Sequence, residues 1–261
     1  MSGLLSIRYQ GGKSANKPIG RWVASHLPYD RYYVEPFAGM LGVLLQRRPS
    51  RIEIVNDLDG NVTNWWQVVR DNPTELRRWI ELTPIGRRTF QDSREVLYKT
   101  DDKVARAGAF AYLLTNSFLG TGATFAYPFG QGVSPWESLP RRIHPLAARL
   151  HNVKLESLDA LDMLSRVKDI ENAVVYCDPP YPGTSAPGLN TQKLPAFDHA
   201  AMCEILVDAK ARVGVSGLDS SEYELPGWHQ TEFDANDAKS RDASRRVEML
   251  WTNYPTCNSL F

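Results

Sequence analysis

Cysteine is scarce. The 261 residues hold three, Cys177, Cys203 and Cys257, odd in number and far apart. That excludes a disulfide framework and any CxxC metal pair, and it is the usage of a reducing compartment. Histidine is thin as well: His26, His144, His151, His199 and His229 show no metal-ligand spacing, so no metal is expected. No apolar run nears the roughly 20 residues that span a bilayer. Met1 to Arg8 carry no basic cluster followed by an apolar core, so a secretory signal is not expected either. Internal repeats and low-complexity tracts are absent. Net charge is absent too, with 30 basic and 30 acidic side chains, so bulk electrostatics announces no polyanionic partner. What is present, 43% hydrophobic and 10% aromatic residues, is too apolar for disorder. These absences leave a soluble intracellular chain, expected as one sizeable domain or one domain carrying a smaller insert.

The charge is unevenly distributed. Residues 70–150 hold 12 Lys and Arg against 8 Asp and Glu. A basic middle in a mildly acidic frame fits a chain that touches phosphates with one part, and it equally describes a solvated helical face. Secondary-structure signals divide the chain in the same way. Apolar positions Ile19, Trp22, Val23 and Leu27 predict a helix opening at Lys17-Pro18. Strands are expected at Tyr32–Glu35 and Ile52–Val55, with helices at Leu41–Arg47 and Gly60–Arg70. Helical patterns then run without strands through Pro73–Leu82, Asp92–Lys99, Val104–Asn116 and Leu139–Leu150. Between the last two lies the Gly, Thr and aromatic stretch Ser117–Gly130, suited to a loop or hairpin. Alternation resumes with strands Val153–Glu156, Ala173–Cys177, Val213–Ser216, Thr231–Phe233 and Val247–Asn253, and helices Asp159–Val167 and Asp198–Ala211. The reading is an α/β domain with a mostly parallel sheet, formed by 1–70 and 151–261, interrupted by a mainly helical insert at 71–150.

Three motifs carry chemistry. Asp178-Pro179-Pro180-Tyr181 follows directly on the apolar strand Ala173–Cys177, and strand ends in parallel sheets are where ligands sit. A carboxylate and a fixed Pro179 carbonyl can accept both hydrogens of an exocyclic amine, and the Tyr181 ring can stack on a base. The same tetrapeptide can also be a turn that ends a strand. Glu35-Pro36-Phe37-Ala38-Gly39-Met40-Leu41-Gly42 is a small-residue turn between strand and helix. Phe37 replaces the first glycine of a dinucleotide fingerprint, which favours a nucleoside ligand over NAD. Asp57, 18 residues beyond Gly39, is placed to hold ribose hydroxyls. At the amino end, Arg8-Tyr9-Gln10-Gly11-Gly12-Lys13 can cradle an anion or be a flexible arm, and it lacks P-loop spacing.

In this order the three motifs resemble one family, the Dam-type (D12 class, alpha group) S-adenosylmethionine-dependent DNA adenine N6-methyltransferases. The matching elements are Tyr9-Gln10-Gly11-Gly12-Lys13, Glu35-Pro36-Phe37-Ala38-Gly39, Asn56-Asp57, a DNA-recognition insert, and Asp178-Pro179-Pro180-Tyr181. Tyr127-Pro128-Phe129-Gly130 and the segment Arg245-Arg246-Val247-Glu248-Met249-Leu250-Trp251 also look like family elements, so the likeness runs from about residue 7 to Pro255. The resemblance implies a Rossmann-like methyltransferase sheet, double-stranded DNA as partner, and the cytoplasm of a prokaryotic or phage-infected cell. It assigns Tyr9, Lys13, Glu35, Phe37, Gly39, Asp57 and Asp178 to S-adenosylmethionine. Asp178, Pro179, Pro180 and Tyr181 would form the catalytic site, and Arg8 and Asn116 would reach DNA. It implies direct methyl transfer to a flipped-out adenine.

The insert departs from the family. Where the family has Asn-Arg and then Phe-Asn-Val-Pro, this chain has Asn116-Ser117 and Phe125-Ala126-Tyr127-Pro128. Thr121, Thr124 and Arg141, with Arg87, Arg88 and Arg142, are the candidates for substitute DNA contacts. Other readings are an amino-methyltransferase acting on RNA or another base, and a catalytically inactive DNA-binding relative. The Gly-Gly-Lys arm with the insert opposes the first, and intact Asp57 and Asp178-Pro179-Pro180-Tyr181 oppose the second.

Overall fold

The computed structural model describes Ile7 and residues 17–126, 134–181, 189, 196–218, 223–234 and 247–256. Strands β1 (Tyr32–Glu35), β2 (Ile52–Asn56), β3 (Val153–Glu156), β4 (Ala173–Cys177), β5 (Arg212–Leu218), β6 (His229–Asp234) and β7 (Val247–Thr252) form one sheet. Their order is β3-β2-β1-β4-β5-β7-β6. The first five in that order run parallel, and β7 is antiparallel to both β5 and β6. From β1 the chain steps outward through β2 to β3, then crosses back to β4 and continues the other way. The strand order therefore reverses between β1 and β4, which opens a crevice at their carboxyl ends.

The alternation of side chains builds a core on each face. Every residue of β4 is buried, as expected of a central parallel strand covered on both sides. Val174 and Tyr176 join Tyr33, Val55 and Leu250 against helices α1 (Lys17–His26) and α2 (Gly60–Asp71). Ala173, Val175 and Cys177 join Val34, Val213, Val215 and Trp251 against α8 (Ala160–Val167) and α9 (His199–Val207). Cys177 and Cys203 are thus buried thiols, and desolvation pushes both above their usual range.

Between β2 and β3 the chain forms α2, then α3 (Pro73–Leu82), α4 (Arg87–Lys99), α5 (Lys103–Thr115), α6 (Pro135–Ser138) and α7 (Pro140–Leu150). Their starts follow from local chemistry. Pro73 and Pro140 occupy first-turn positions, Asp102 accepts from the Val104 and Ala105 amides, and Ser134 with Glu137 forms a capping box. Leu76, Ile80, Phe110, Tyr112 and Ile143 share one apolar cluster with Trp65 and Trp66 of α2 and with the sheet. The helical segment thus has no core of its own. Arg149 of α7 adds a buried tie to β2, pairing with Glu53 at 2.8 Å while donating to the Leu44 carbonyl.

Three expected helices differ. Leu41–Arg47 forms only a 3-10 turn at Leu44–Gln46. Leu41 takes a left-handed φ of 54°, and the Leu44 amide donates to the Glu35 carboxyl, so the helical ladder is interrupted. The helix expected to reach Ala211 stops at Val207, because the Lys210 and Ala211 amides turn to the Lys168 carbonyl at the end of α8. Helix α4 begins five residues earlier than expected, at Arg87, after the extended Gly86.

Candidate active site

The loops leaving β1, β2 and β3 are stitched by Asn56. Its Nδ2 donates to the carbonyls of Pro36 and Leu158, each at 3.0 Å, and its Oδ1 accepts the Leu158 amide at 2.7 Å. The Ala38 amide bonds the Asn56 carbonyl at 2.8 Å. These bonds set the turn in which Gly39 adopts φ +45°, a conformation that favours glycine. The Gly39 amide donates to Asp57 Oδ2 at 2.8 Å, and its carbonyl accepts from Trp66 Nε1 at 2.8 Å. Asp57 Oδ1 accepts the Asp59 amide at 2.9 Å. Burial pushes the Asp57 carboxyl up to about 6, against the pull of those two amides. Phe37 stands edge-on to Phe197, with 5.0 Å between ring centroids.

Glu35 is buried. Its Oε1 accepts from the Tyr33 hydroxyl at 2.6 Å, and the Leu44 amide bonds the same carboxyl. Desolvation raises it to about 8, opposed by these bonds and by Arg47, while the charge of Asp178 adds to the rise. That influence ties the end of β1 electrostatically to the end of β4. A linkage prediction arises from the shift. An unfolded Glu ionises near 4.5 and folded Glu35 near 8, so the folded state binds the extra proton between those values. Its stabilising contribution is full below pH 4.5 and is lost as pH rises through 8. Glu35→Gln is expected to flatten the fall in melting temperature across that window, and an unchanged pH profile would remove Glu35 as its cause.

At the end of β4, Asp178 Oδ1 accepts from Ser216 Oγ at 2.9 Å, and that Oγ lies 2.8 Å from the Tyr176 hydroxyl. Pro179 is buried and Pro180 exposed. The Tyr181 hydroxyl donates to Glu248 Oε1 of β7 at 2.7 Å. Among the described residues no group of three or more His, Cys, Asp and Glu could hold a metal.

The stretch after α5 is a short hairpin, with an antiparallel bridge between Ser117 and Phe125. Gly120 and Gly122 have φ of 71° and 68°. Asn116 is 5% exposed, and its Nδ2 donates to the Tyr112 carbonyl, so its side chain faces α5 and caps it rather than facing outward. Ser117 Oγ accepts the Gly122 amide at 2.7 Å. Thr121 Oγ1 donates to the Phe118 carbonyl, Thr124 is exposed, and Phe118 is 65% exposed. Arg94 of α4 braces the turn by donating to the carbonyls of Gly122 and Ala123. Leu189, beyond Asp178-Pro179-Pro180-Tyr181, packs where a Cβ on Gly122 would stand. Arg141 is exposed on α7. Arg8, Tyr9, Lys13, Tyr127 to Gly130, Arg245 and Arg246 lie outside the described residues.

The structure thus brings Glu35, Phe37, Gly39, Asp57 and Asp178 to neighbouring strand ends, and the hairpin carries Thr121 and Thr124. Reading the sequence missed Ser216, Glu248 and Arg94. Trp66 of α2 is buried in the core, and its indole also holds the Gly39 carbonyl. The available signals were a polar residue on an otherwise apolar strand and an acid within Arg245–Trp251.

A mostly parallel sheet in this order, with a glycine turn after β1, an acid after β2 and Asp-Pro-Pro-Tyr after β4, defines a methyltransferase of Rossmann-like architecture. The family model described as D12 class N6 adenine-specific DNA methyltransferase matches residues 9–232, and the chain belongs to that family. A DNA adenine methylase of Vibrio cholerae is 24% identical over 232 residues, covering 82% of this chain and 80% of that protein. One from Escherichia coli is 28% identical over 189 residues, 69% of this chain and 66% of its own length. One from Salmonella typhi is 24% identical over 268 residues, 95% and 94% of the two chains. The chain methylates adenine in DNA.

Proposed function

We propose that S-adenosylmethionine is the methyl donor, that the target adenine is flipped out of double-stranded DNA, and that the transfer is direct, at Asp178-Pro179-Pro180-Tyr181. The observation that carries this reading is the convergence of the Gly39 turn, Asp57 and Asp178 at the reversal of strand order. The residues present fit the cofactor. Among the described residues nothing lies within 4 Å of the position a Cβ on Gly39 would take, which supports an open face there for a nucleoside. A carboxylate has about four lone-pair sites, and the two amide bonds to Asp57 leave acceptor capacity for ribose hydroxyls. Phe37 and Glu35 border that pocket, Phe37 as an apolar wall and Glu35 by fixing the turn's approach. Tyr9 and Lys13, which lie outside the described residues, are assigned to the cofactor by the family resemblance alone.

When bound, the cofactor supplies a methyl group on a sulfonium. The remaining work falls to the chain. An aryl amine is a weak nucleophile because its lone pair is delocalised into the ring. By accepting both amino hydrogens, Asp178 and the Pro179 carbonyl draw the nitrogen toward tetrahedral geometry and aim its lone pair. Pro180 stiffens that backbone, and Tyr181, held by Glu248, stacks on the base. Positioning and electrostatics then carry the acceleration.

Residues 71–150 are the proposed recognition segment, with Thr121, Thr124 and Arg141, and Arg8 from the arm, on the DNA. Asn116 serves it as a cap. Ser117 is occupied by the Gly122 amide and Ala126 has no polar side chain, so neither supplies a bidentate base contact. Each such contact is worth about 1–3 kcal/mol of discrimination, and losing two relaxes preference by orders of magnitude. A target different from, or looser than, the GATC that the family resemblance implies is therefore expected. Sequencing of fully methylated DNA decides it: modified adenines outside GATC are expected, and modification confined to GATC would contradict the reading. With the site mapped, 2-aminopurine at the target position should brighten on binding if the base is flipped, and unchanged fluorescence would count against flipping.

A further inference from the structure

Ser216 lies on β5, the strand beside β4. Tyr176 pairs with Gly214 and Cys177 with Val215, which brings Ser216 level with Asp178. The serine is fully buried. A hydroxyl has one hydrogen to give. With that of Ser216 placed on Asp178 Oδ1 at 2.9 Å, the 2.8 Å contact on the other side requires Tyr176 to be the donor. The chain therefore has a direction, from the Tyr176 hydroxyl through Ser216 Oγ to the carboxylate. Burial, reinforced by the charge of Asp178, raises the Tyr176 phenol well above its usual range, which keeps its proton in place. Rotation of a carboxylate about χ2 is otherwise soft.

We propose that Ser216, backed by Tyr176, is a positioning residue for methyl transfer: by pinning one oxygen of Asp178 it sets the orientation in which the carboxylate meets the adenine amine. The inference rests on the assignment of Asp178 to that amine. A base held in the wrong attitude by a fraction of an ångström loses rate without losing affinity. This separates the role from simple packing support.

The test uses full-length Ser216→Ala, Ser216→Thr, Tyr176→Phe and Asp178→Ala with S-adenosylmethionine and DNA. The readouts are single-turnover methylation rate, KM for DNA, cofactor affinity and melting temperature. Ser216→Ala is expected to slow transfer about 10–100-fold, with KM and cofactor affinity held within about two-fold. Ser216→Thr keeps the hydroxyl and should recover most of the rate. Tyr176→Phe should give a smaller loss of the same kind. A wild-type rate in Ser216→Ala, or a rate loss matched by lost cofactor affinity, overturns the relay while an inactive Asp178→Ala leaves the active-site reading standing. An active Asp178→Ala instead overturns that reading. If Ser216→Ala fails to fold, Tyr176→Phe decides, and an unchanged rate there overturns the proposal.

Discussion

Asp178→Ala is expected to abolish methylation while the chain keeps its fold. Asp178 stands just past the end of β4, where it is only half-buried, so truncation opens no large core cavity. It does remove an acceptor proposed to stabilise the positive charge that builds on the adenine amine as the nitrogen attacks. Removing one preorganised electrostatic contact of this kind costs roughly 10²–10³ in rate, and more if it also orients the base. The variant should stay folded, and single-turnover assays at saturating cofactor should show the loss in the chemical step. Near-normal turnover would remove Asp178 from the catalytic site.

The second large effect is on the cofactor. Asp57→Ala should weaken S-adenosylmethionine far more than DNA, because the proposed partners of Asp57 are ribose hydroxyls. A hydrogen bond to a charged group is worth about 1.5–3 kcal/mol, or roughly 10–150-fold in affinity. The alanine also releases the Gly39 and Asp59 amides, which loosens the turn itself. Asp57→Asn is the finer probe, since it retains an acceptor and loses the charge. Because Asp57 titrates near 6, wild-type affinity should fall as pH drops through that value and the carboxylate gains a proton. The asparagine variant should lose that dependence. Calorimetry that shows unchanged cofactor affinity in Asp57→Ala would take Asp57 out of the site.

Much of the architecture was legible because it is written in local patterns. The five apolar residues of β4 read as a covered strand, and the structure puts Glu35, Asp57 and Asp178 at neighbouring strand ends as the sequence placed them. The strand Tyr32–Glu35 and the helix Pro73–Leu82 were expected at the boundaries observed. The helix expected at Leu41–Arg47 failed for a nonlocal reason. Its Leu44 amide is taken by a carboxyl nine residues earlier, and Met40 to Leu45, apart from half-buried Gly42, are buried, leaving no polar face to guide a helical reading. Helix α9 stops short because two of its expected amides bond to α8 instead. Ser216 and Glu248 were invisible for a related reason: each meets its partner across the sheet, 38 and 67 residues away in sequence. Asn116, expected to reach DNA, bonds the Tyr112 carbonyl at the end of α5, since a side chain suited to reading DNA is also a good helix cap.

The proposed reaction moves a methyl group from S-adenosylmethionine to adenine N6 in DNA. It is tested most directly by incubating the full chain with methyl-labelled S-adenosylmethionine and mixed-sequence double-stranded DNA, then digesting the DNA to nucleosides. The expected result is label recovered in N6-methyldeoxyadenosine, absent when Asp178→Ala replaces the wild-type chain. Label in another nucleoside, or no labelled nucleoside from a folded wild-type chain, would contradict it.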